Sequence, residues 1–159
     1  MTGVTIMFGG PIQYASRVGD VKYDPDMREQ IDGLITALEH AEYTVLSAHR
    51  SEDYGQGTVP PPGEVTERDF RFLASCDVYV GYLPCVGHAP FRSDGTHIEL
   101  GWASAMGKPC VILYSSENAH RYSFVLQGLP CLNETRFLDL KRVLSDRSIL
   151  LRELEELTT

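Results

Sequence analysis

The stretch that decides the fold is DVYVGYLPCVGHAPFRSDGTHIELGWASAMGKPCVILY, residues 77–114. It starts with an apolar run, Asp77 to Leu83, which predicts a buried strand. A helix is expected from about Thr96 to Met106, with Gly107 at its end, and a further apolar strand runs from Cys110 to Tyr114. A strand, a helix and a strand in this order predict two parallel strands joined by a helical crossover.

The same alternation of strands and helices continues on both sides of this stretch. The other predicted elements are strands at Val4–Phe8 and Tyr43–Ala48, and helices from Asp24-Pro25 to about His40, from Glu64 to Cys76, from Tyr122 to Gln127 and from Phe137 to Leu157, with a break near Ser145-Asp146. We therefore expect an α/β fold, with an open parallel sheet that is doubly wound by helices and is flavodoxin-like or Rossmann-like. Residues 1–159 are expected to form a single domain.

The loops after the first four strands are where chemistry is expected, because ligands of open α/β sheets bind beyond the carboxyl ends of the strands. Residues 49–63 end in Pro60-Pro61-Pro62-Gly63, and no regular element is expected there. Residues 84–95 form a second long loop. Loops of this length in a compact domain are often functional, so His49 in the first loop is a candidate ligand contact.

The composition limits the classes of partner. The net charge of −8 argues against nucleic acid, which needs a clustered basic face. A small anion remains compatible, because a few backbone N–H groups can hold one phosphate. The four cysteines form no C-x-x-C pair and the five histidines show no ligand spacing, so neither a metal nor another cofactor is expected.

The sequence also argues against a membrane partner. No apolar stretch approaches the about 20 residues that a spanning helix needs. Val4 to Phe8 is too short for a signal peptide and lacks a basic start. The predicted location is the cytoplasm.

Glu99 is the one charged residue in the segment from Glu99 to Met106. A helix that is apolar nearly all round is a buried helix, and burial of an unpaired carboxylate is costly. Glu99 is expected in the first turn, where free N–H groups and the helix dipole favour an anion. A carboxylate held ionised in a dry pocket suits a nucleophile. The alternative is a glutamate that merely supports the helix end.

Asp69 shows the same anomaly, because it sits between Val65 and Leu73 in the apolar stripe of the preceding helix. Two inward acids at loop-facing helix ends are what glycosyl transfer uses, with one attacking the anomeric carbon and the other protonating or orienting. The alternative is a buried aspartate that caps a neighbouring loop. The charged residues expected on the outer face of this helix are Glu67, Arg68 and Arg71.

The segment from Ser93 to Gly101, SDGTHIELG, followed by Gly107-Lys108-Pro109, resembles the nucleoside 2-deoxyribosyltransferase family. This superfamily includes deoxynucleoside monophosphate N-glycosidases and CMP hydrolases. Phe8-Gly9-Gly10-Pro11-Ile12 is similar to the first phosphate-side loop of the family, and Glu67-Arg68-Asp69 is similar to its helix before the third strand. The resemblance spans about residues 4 to 128.

The resemblance implies roles for particular residues. Glu99 matches the nucleophile that forms a glycosyl-enzyme, and Asp69 matches the acid that orients it or assists departure of the base. Ser93 and Gly95 match the pair that holds the 5′-phosphate, together with Gly9, Gly10 and Ile12 of the first loop. Ser123 matches a serine that reaches the phosphate of the partner subunit, which implies at least a homodimer with shared active sites.

The chain departs from the family pattern at two positions of the first loop. A tyrosine near the catalytic pair aligns with Met7, so Phe8 or Tyr14 is a candidate replacement. An arginine aligns with Gln13, and Arg17 or Arg50 is a candidate source of the missing positive charge. Transferases of unphosphorylated nucleosides place an acid where Ser93 stands, whereas a serine there is compatible with a phosphate. Asp94, next to it, could approach the same oxygen.

The sequence therefore predicts hydrolysis of the N-glycosidic bond of a nucleoside 5′-monophosphate, with a CMP-like or deoxynucleotide substrate, through a glycosyl-Glu99 intermediate. One alternative is a 2′-deoxyribosyltransferase that exchanges bases. Another is a non-catalytic nucleotide-binding protein. The segment from Gly95 to Glu99 is also similar to the G-T-x-x-E of cytokinin-activating phosphoribohydrolases, but the Pro-Gly-Gly that precedes it there is absent.

Overall fold

A computed structural model describes residues 3–12, 24–55 and 60–159. Its elements in chain order are β1 (Thr5–Gly9), α1 (Pro25–His40), β2 (Thr44–Leu46), α2 (Ala48–Ser51), α3 (Pro62–Ser75), β3 (Val78–Leu83), β4 (Cys85–Val86), β5 (Ala89–Pro90), α4 (Asp94–Ala105), β6 (Cys110–Tyr114), α5 (Phe124–Gln127), β7 (Thr135–Asp139), α6 (Leu140–Ser145) and α7 (Ser148–Thr158). Five strands form one parallel sheet in the order β2-β1-β3-β6-β7. The expected α/β class with an open parallel sheet is confirmed.

The helices cover both faces of the sheet, and alternate strand residues serve the two faces. On one face, Phe8 and Tyr82 join a buried cluster with α1, α6 and α7. On the other face, Met7 and Tyr79 join a second cluster with residues of α3, α4 and α5. Strands buried on both sides are typical of parallel sheets between helical layers. The doubly wound arrangement is thus confirmed.

Helix α1 forms where its capping signals predict. The Asp24 side chain accepts a hydrogen bond from the Met27 backbone N–H at 2.8 Å, and proline occupies the first helical position. The buried side chains then recur at helical spacing and are Met27, Ile31, Leu34, Ile35 and Leu38. This stripe fixes α1 against the sheet and leaves its polar face outward.

Three elements differ from the sequence expectation. Residues 137–139 are expected to be helical but belong to β7, where Phe137 pairs with Ile112 of β6. A short apolar run does not distinguish strand from helix until a neighbouring strand supplies hydrogen bonds. Residues 49–63 are expected to lack regular structure but contribute to α2 and a 3-10 turn, and residues 84–95 contain the β4–β5 hairpin. The break near Ser145-Asp146 is confirmed, because α6 ends at Ser145 and α7 begins at Ser148. Between them, the Asp146 side chain accepts a hydrogen bond from the Ser148 N–H.

The order of the strands positions the site. The chain moves from β1 outward to β2 and then returns to the other side of β1 at β3. Connections leave β1 and β3 on opposite faces, which opens a crevice at their carboxyl ends. None of the helices in residues 24–55 and 60–159 combines the length and apolar character needed to cross a bilayer.

Candidate active site

A cavity of about 360 Å³ lies at this crevice. Its floor includes Gly9 and Gly10 at the end of β1, and its walls come from α2, α3 and the N-terminal part of α4. The volume falls within the range of small-molecule sites. The fold therefore brings the expected site residues of four separate segments to one cavity; those among its lining residues are Phe8, Gly9, Gly10, Ile12, His49, Asp69, Ser93, Asp94, Gly95 and Glu99.

Glu99 points into this cavity from α4 and is only 8% exposed. The pKa of its carboxyl is raised to about 8, mainly by burial. A hydrogen bond from Tyr79 opposes this rise, the charge of Asp69 adds to it, and the charge of Arg68 lowers the pKa. Helix α4 begins at Asp94, so Glu99 lies beyond the first turn. The expected first-turn position is wrong, and the free N–H groups of the helix start do not hold this carboxylate ionised.

Tyr79 contacts Glu99 directly, which sequence reasoning missed. Its hydroxyl donates a hydrogen bond of 2.6 Å to Glu99 Oε2, and the Tyr79 side chain is fully buried. Burial, together with the neighbouring carboxylate, raises the phenol pKa well above 10, so the hydroxyl keeps its proton. Tyr79 pairs with Met7 in the sheet, so both side chains leave it on one face, and this register could not be predicted from the sequence.

Tyr79 is not among the candidate replacements for the family tyrosine that aligns with Met7. Phe8 lines the cavity but has no hydroxyl, and it packs edge-on against His49 at 6.5 Å between ring centroids. Phe8 therefore cannot hydrogen-bond Glu99, which corrects its expected role in replacing the tyrosine contact. Tyr14, Gln13 and Arg17 lie outside the described residues.

Gly9 leaves the room that this pair occupies. A Cβ atom added at Gly9 would lie 2.8 Å from Tyr79 Cζ and still nearer to the Tyr79 hydroxyl and the Glu99 carboxylate. Gly10 is less tightly enclosed, since an added Cβ would lie 3.2 Å from His49 Cε1 and 3.3 Å from Tyr82 Cβ. Gly9 therefore lets the acid and the phenol approach the end of β1, while Gly10 leaves space for His49.

Asp69 reaches the cavity from α3 and is held by Arg68. The Arg68 guanidinium lies 2.8 Å from Asp69 Oδ1 and 2.7 Å from Glu52 Oε1, so one arginine bridges two carboxylates. The expectation that Arg68 decorates the outer face is wrong, because its side chain is only 16% exposed. Burial raises the pKa of Asp69, and the hydrogen bonds and charge of Arg68 oppose that rise. Glu52, which also lines the cavity, was not expected from the sequence.

Polar groups at the start of α4 form the opposite wall. Ser93 and Thr96 are both buried and their hydroxyls are hydrogen-bonded to each other. Gly95 lies between them, and a Cβ there would meet open space. The Asp94 carboxylate is bound by Arg92 at 2.8 and 3.1 Å, so part of its charge is offset. Backbone N–H groups at a helix start can bind an anion at this position.

A comparison with known families decides the classification. The family model described as nucleoside 2-deoxyribosyltransferase matches residues 18–141. The chain belongs to the nucleoside 2-deoxyribosyltransferase family. Members of this family are enzymes, N-glycosidases or pentosyltransferases, that act on nucleosides or nucleotides.

Individual relatives in and around the nucleoside 2-deoxyribosyltransferase family agree with the assignment. A protein of Thermofilum pendens, named as a putative 2′-deoxynucleoside 5′-phosphate N-hydrolase, is 31% identical to this chain over 103 residues. The matched region is 63% of this chain and 66% of that relative, so the chain spans slightly less than two thirds of its length. The solution structure of BlsM matches with a TM-score of 0.71 and 28% identity over 91% of this chain and 88% of that chain. The structure of the CMP N-glycosidase BcmB of Clostridium botulinum matches with a TM-score of 0.64 and 23% identity, over 91% of this chain and 98% of that chain. At that identity the match shows the fold alone.

Three further candidate residues are His49, Arg50 and Ser123, which were singled out by the loop pattern or by the resemblance to the nucleoside 2-deoxyribosyltransferase family. His49 is fully buried, and burial lowers its pKa to about 4, so it is neutral near pH 7. Its Nε2 lies 3.3 Å from the Pro11 carbonyl oxygen. Arg50 binds Glu39 of α1 at 2.7 Å and is not a lining residue, so the structure does not bring its charge to the cavity. Ser123 is exposed at the start of α5, outside its own chain's cavity.

Proposed function

We propose that this chain hydrolyses the N-glycosidic bond of a nucleoside 5′-monophosphate, with Glu99 as the nucleophile. The observation that carries the proposal is a buried glutamate at the floor of a cavity, with one oxygen held by Tyr79. Among the described residues, no hydrogen bond to its other oxygen, Oε1, is found. A carboxylate in this situation can attack an anomeric carbon.

The reaction proceeds in two displacements. Glu99 forms a bond to C1′ while the C1′–N bond breaks, and the departing base takes a proton from Asp69. Water then attacks C1′, its proton passes to Asp69, and the bond to Glu99 breaks, so the sugar keeps its configuration. As general acid Asp69 must carry a proton at the first step; burial raises its pKa in that direction, and the bound Arg68 opposes the rise.

The start of α4 supports a phosphate at the 5′ position. The buried hydroxyls of Ser93 and Thr96 and the open space beside Gly95 offer donors without steric obstruction. The cavity also carries four carboxylates, and no lysine or arginine lines it in the part of the chain that the structure describes. Among the residues that the structure describes, the donors available to a phosphate are therefore hydroxyl and backbone groups, with Arg92 offsetting the charge of Asp94.

One observation favours a second candidate, a 2′-deoxyribosyltransferase. The Asp94 carboxylate lines the cavity beside Ser93, where an acid could accept a hydrogen bond from a free 5′-hydroxyl. In that case a second base, rather than water, resolves the glycosyl-enzyme. The two reactions share Glu99 and differ in the acceptor.

We further propose that the working unit is a homodimer in which Ser123 completes the neighbouring site. The segment from Glu99 to Met106 is expected to be buried, yet Met106 at the end of α4 is 39% exposed, and Ile98 of the same helix is 53% exposed. Phe124 and Val125, next to Ser123, are 87% and 78% exposed. Apolar surface of this kind marks an interaction site, and the second copy is the partner that the role of Ser123 requires. Size measurement in solution tests this proposal.

The test of function is a panel of nucleoside monophosphates and nucleosides with released base measured by chromatography. Wild type is expected to release base from a monophosphate and Glu99→Ala to release none. Adding a free acceptor base distinguishes the rival reaction, since exchange of bases would indicate the transferase. Equal release by wild type and Glu99→Ala would end the assignment of Glu99.

A further inference from the structure

We propose that Tyr79 is the positioning residue of the nucleophile: its hydroxyl holds Oε2 of Glu99 so that Oε1 faces the substrate. The inference rests on the proposed role of Glu99. The distance of 2.6 Å lies in the range of hydrogen bonds from a hydroxyl to a carboxylate. Both side chains are buried, so bulk water does not compete for the contact.

The position of Tyr79 explains how the Glu99 carboxylate is held although residue 7 is a methionine. Met7 has no hydrogen-bond donor in its side chain, so it cannot hold a carboxylate. Tyr79 is its register partner on the adjacent strand, and its hydroxyl arrives at the same face of the sheet. Donation thus comes from β3 instead of β1, and Gly9 leaves space for it.

The surroundings of Glu99 leave Tyr79 as its hydrogen-bond donor. Within residues 3–12, 24–55 and 60–159, the groups that act on the carboxylate are Tyr79 from β3 and Asp69 and Arg68 from α3. Asp69 repels the ionised form, and the guanidinium of Arg68 is bound to Asp69 and Glu52. Among the described residues, the direct hydrogen bond to Glu99 is that of Tyr79. Removal of this hydroxyl should therefore free the carboxylate to rotate and make its ionisation harder.

The test compares Tyr79→Phe with Tyr82→Phe. Both substitutions remove one hydroxyl from a buried tyrosine of β3, but Tyr82 donates to Gln30 at 2.7 Å on the other face of the sheet. We expect Tyr79→Phe to lower kcat at pH 7 about tenfold or more, because the lost hydrogen bond is one to a charged group, and such bonds are stronger than those between neutral groups. KM should change far less, and the acid limb of the kcat profile should move to higher pH. Tyr82→Phe should leave kcat, KM and the acid limb of the kcat profile unchanged.

A second measurement separates this inference from the proposed reaction. The titration of the Glu99 carboxyl carbon, followed by NMR with labelled glutamate, should move to higher pH in Tyr79→Phe and stay in place in Tyr82→Phe. In wild type, a slowly exchanging hydroxyl proton of Tyr79 should be visible and should vanish in Glu99→Ala, a readout that needs no folded Tyr79 variant. An unmoved titration, or no such proton, would overturn the positioning role. Absence of base release by wild type would instead refute the proposed function.

Discussion

Arg68 of α3 and Glu52, which follows α2, lie 2.7 Å apart and join two walls of the cavity. The same guanidinium holds Asp69, so a single positive charge lies between two carboxylates of the site. The three side chains are between 6% and 16% exposed, which weakens screening by water. Arg68 thereby links the stability of the site to the charge state of its acids.

Arg68→Met should destabilise the protein by about 3 kcal/mol near pH 8, because removal of one partner leaves buried charges uncompensated. The loss should be smaller at pH 5, since the Asp69 carboxyl, whose pKa is raised by burial, is then more readily protonated. Urea unfolding at the two pH values measures this difference. Arg50→Met is the control: its pairs with Glu39 and Asp32 are more exposed, so its cost should stay below about 1 kcal/mol. Equal losses for the two variants would contradict the bridging role of Arg68.

Glu99→Gln should stabilise the protein at high pH. The folded-state pKa of about 8 lies above the ordinary value of 4.5, so the folded protein binds this proton more tightly than the unfolded chain. Wild-type stability should therefore fall as the pH rises from about 4.5 to about 8, by an amount on the order of a few kcal/mol. The glutamine variant should lack this slope while losing activity. Denaturation curves at pH 5 and pH 9 provide the comparison, and parallel slopes for both proteins would refute the prediction.

The part of the pH–rate profile that follows ionisation of Glu99 should rise through about pH 8, and loss of the Asp69 proton should oppose this rise. The attacking carboxylate must be ionised, and with a pKa of about 8 only about a tenth of it is ionised at pH 7. His49 should not contribute to this limb, because its pKa lies near 4. A profile of kcat/KM from pH 5 to pH 9 tests the expectation. A rate that is flat over this interval would show that another group controls the reaction.

Gly9→Ala should lower activity by more than tenfold, because the added methyl group would collide with Tyr79 and Glu99. The backbone at this point belongs to β1 and has little freedom to move away. Gly63→Ala is the matched control, since its Cβ would meet no atom within 4 Å and helical alanine is favoured over glycine. Base release and melting temperature should be measured for both. An active Gly9→Ala would mean that the pair tolerates displacement.

Asp94→Asn should lower the KM for a nucleoside monophosphate if the phosphate binds at the start of α4. Removal of the carboxylate reduces repulsion there and removes the negative charge that Arg92 contacts at 2.8 Å. The same variant should bind an unphosphorylated nucleoside no better. Steady-state kinetics with the two substrates give the answer. A selective loss of nucleoside activity would favour the transferase and recognition of a 5′-hydroxyl.

The sequence alone determined the layers of the fold and two of its acids. Apolar runs with glycine or proline on at least one side specified β1, β3 and β6, since these signals depend on neighbouring residues in the chain. Glu99 and Asp69 stood out because each is a charge on an otherwise apolar helix face. The family resemblance rested on the contiguous segment from Ser93 to Gly101, which requires no knowledge of the tertiary contacts.

Tertiary structure decided the contacts between distant segments. Strand β7 exists because β6 offers it hydrogen bonds, and its own short apolar run does not specify a strand. The Tyr79–Glu99 hydrogen bond depends on the register of β1 with β3 and on the absence of a side chain at Gly9. The Arg68 bridge joins residues 16 positions apart that lie on different elements. Such pairings follow from packing in three dimensions, so local sequence patterns carry no record of them.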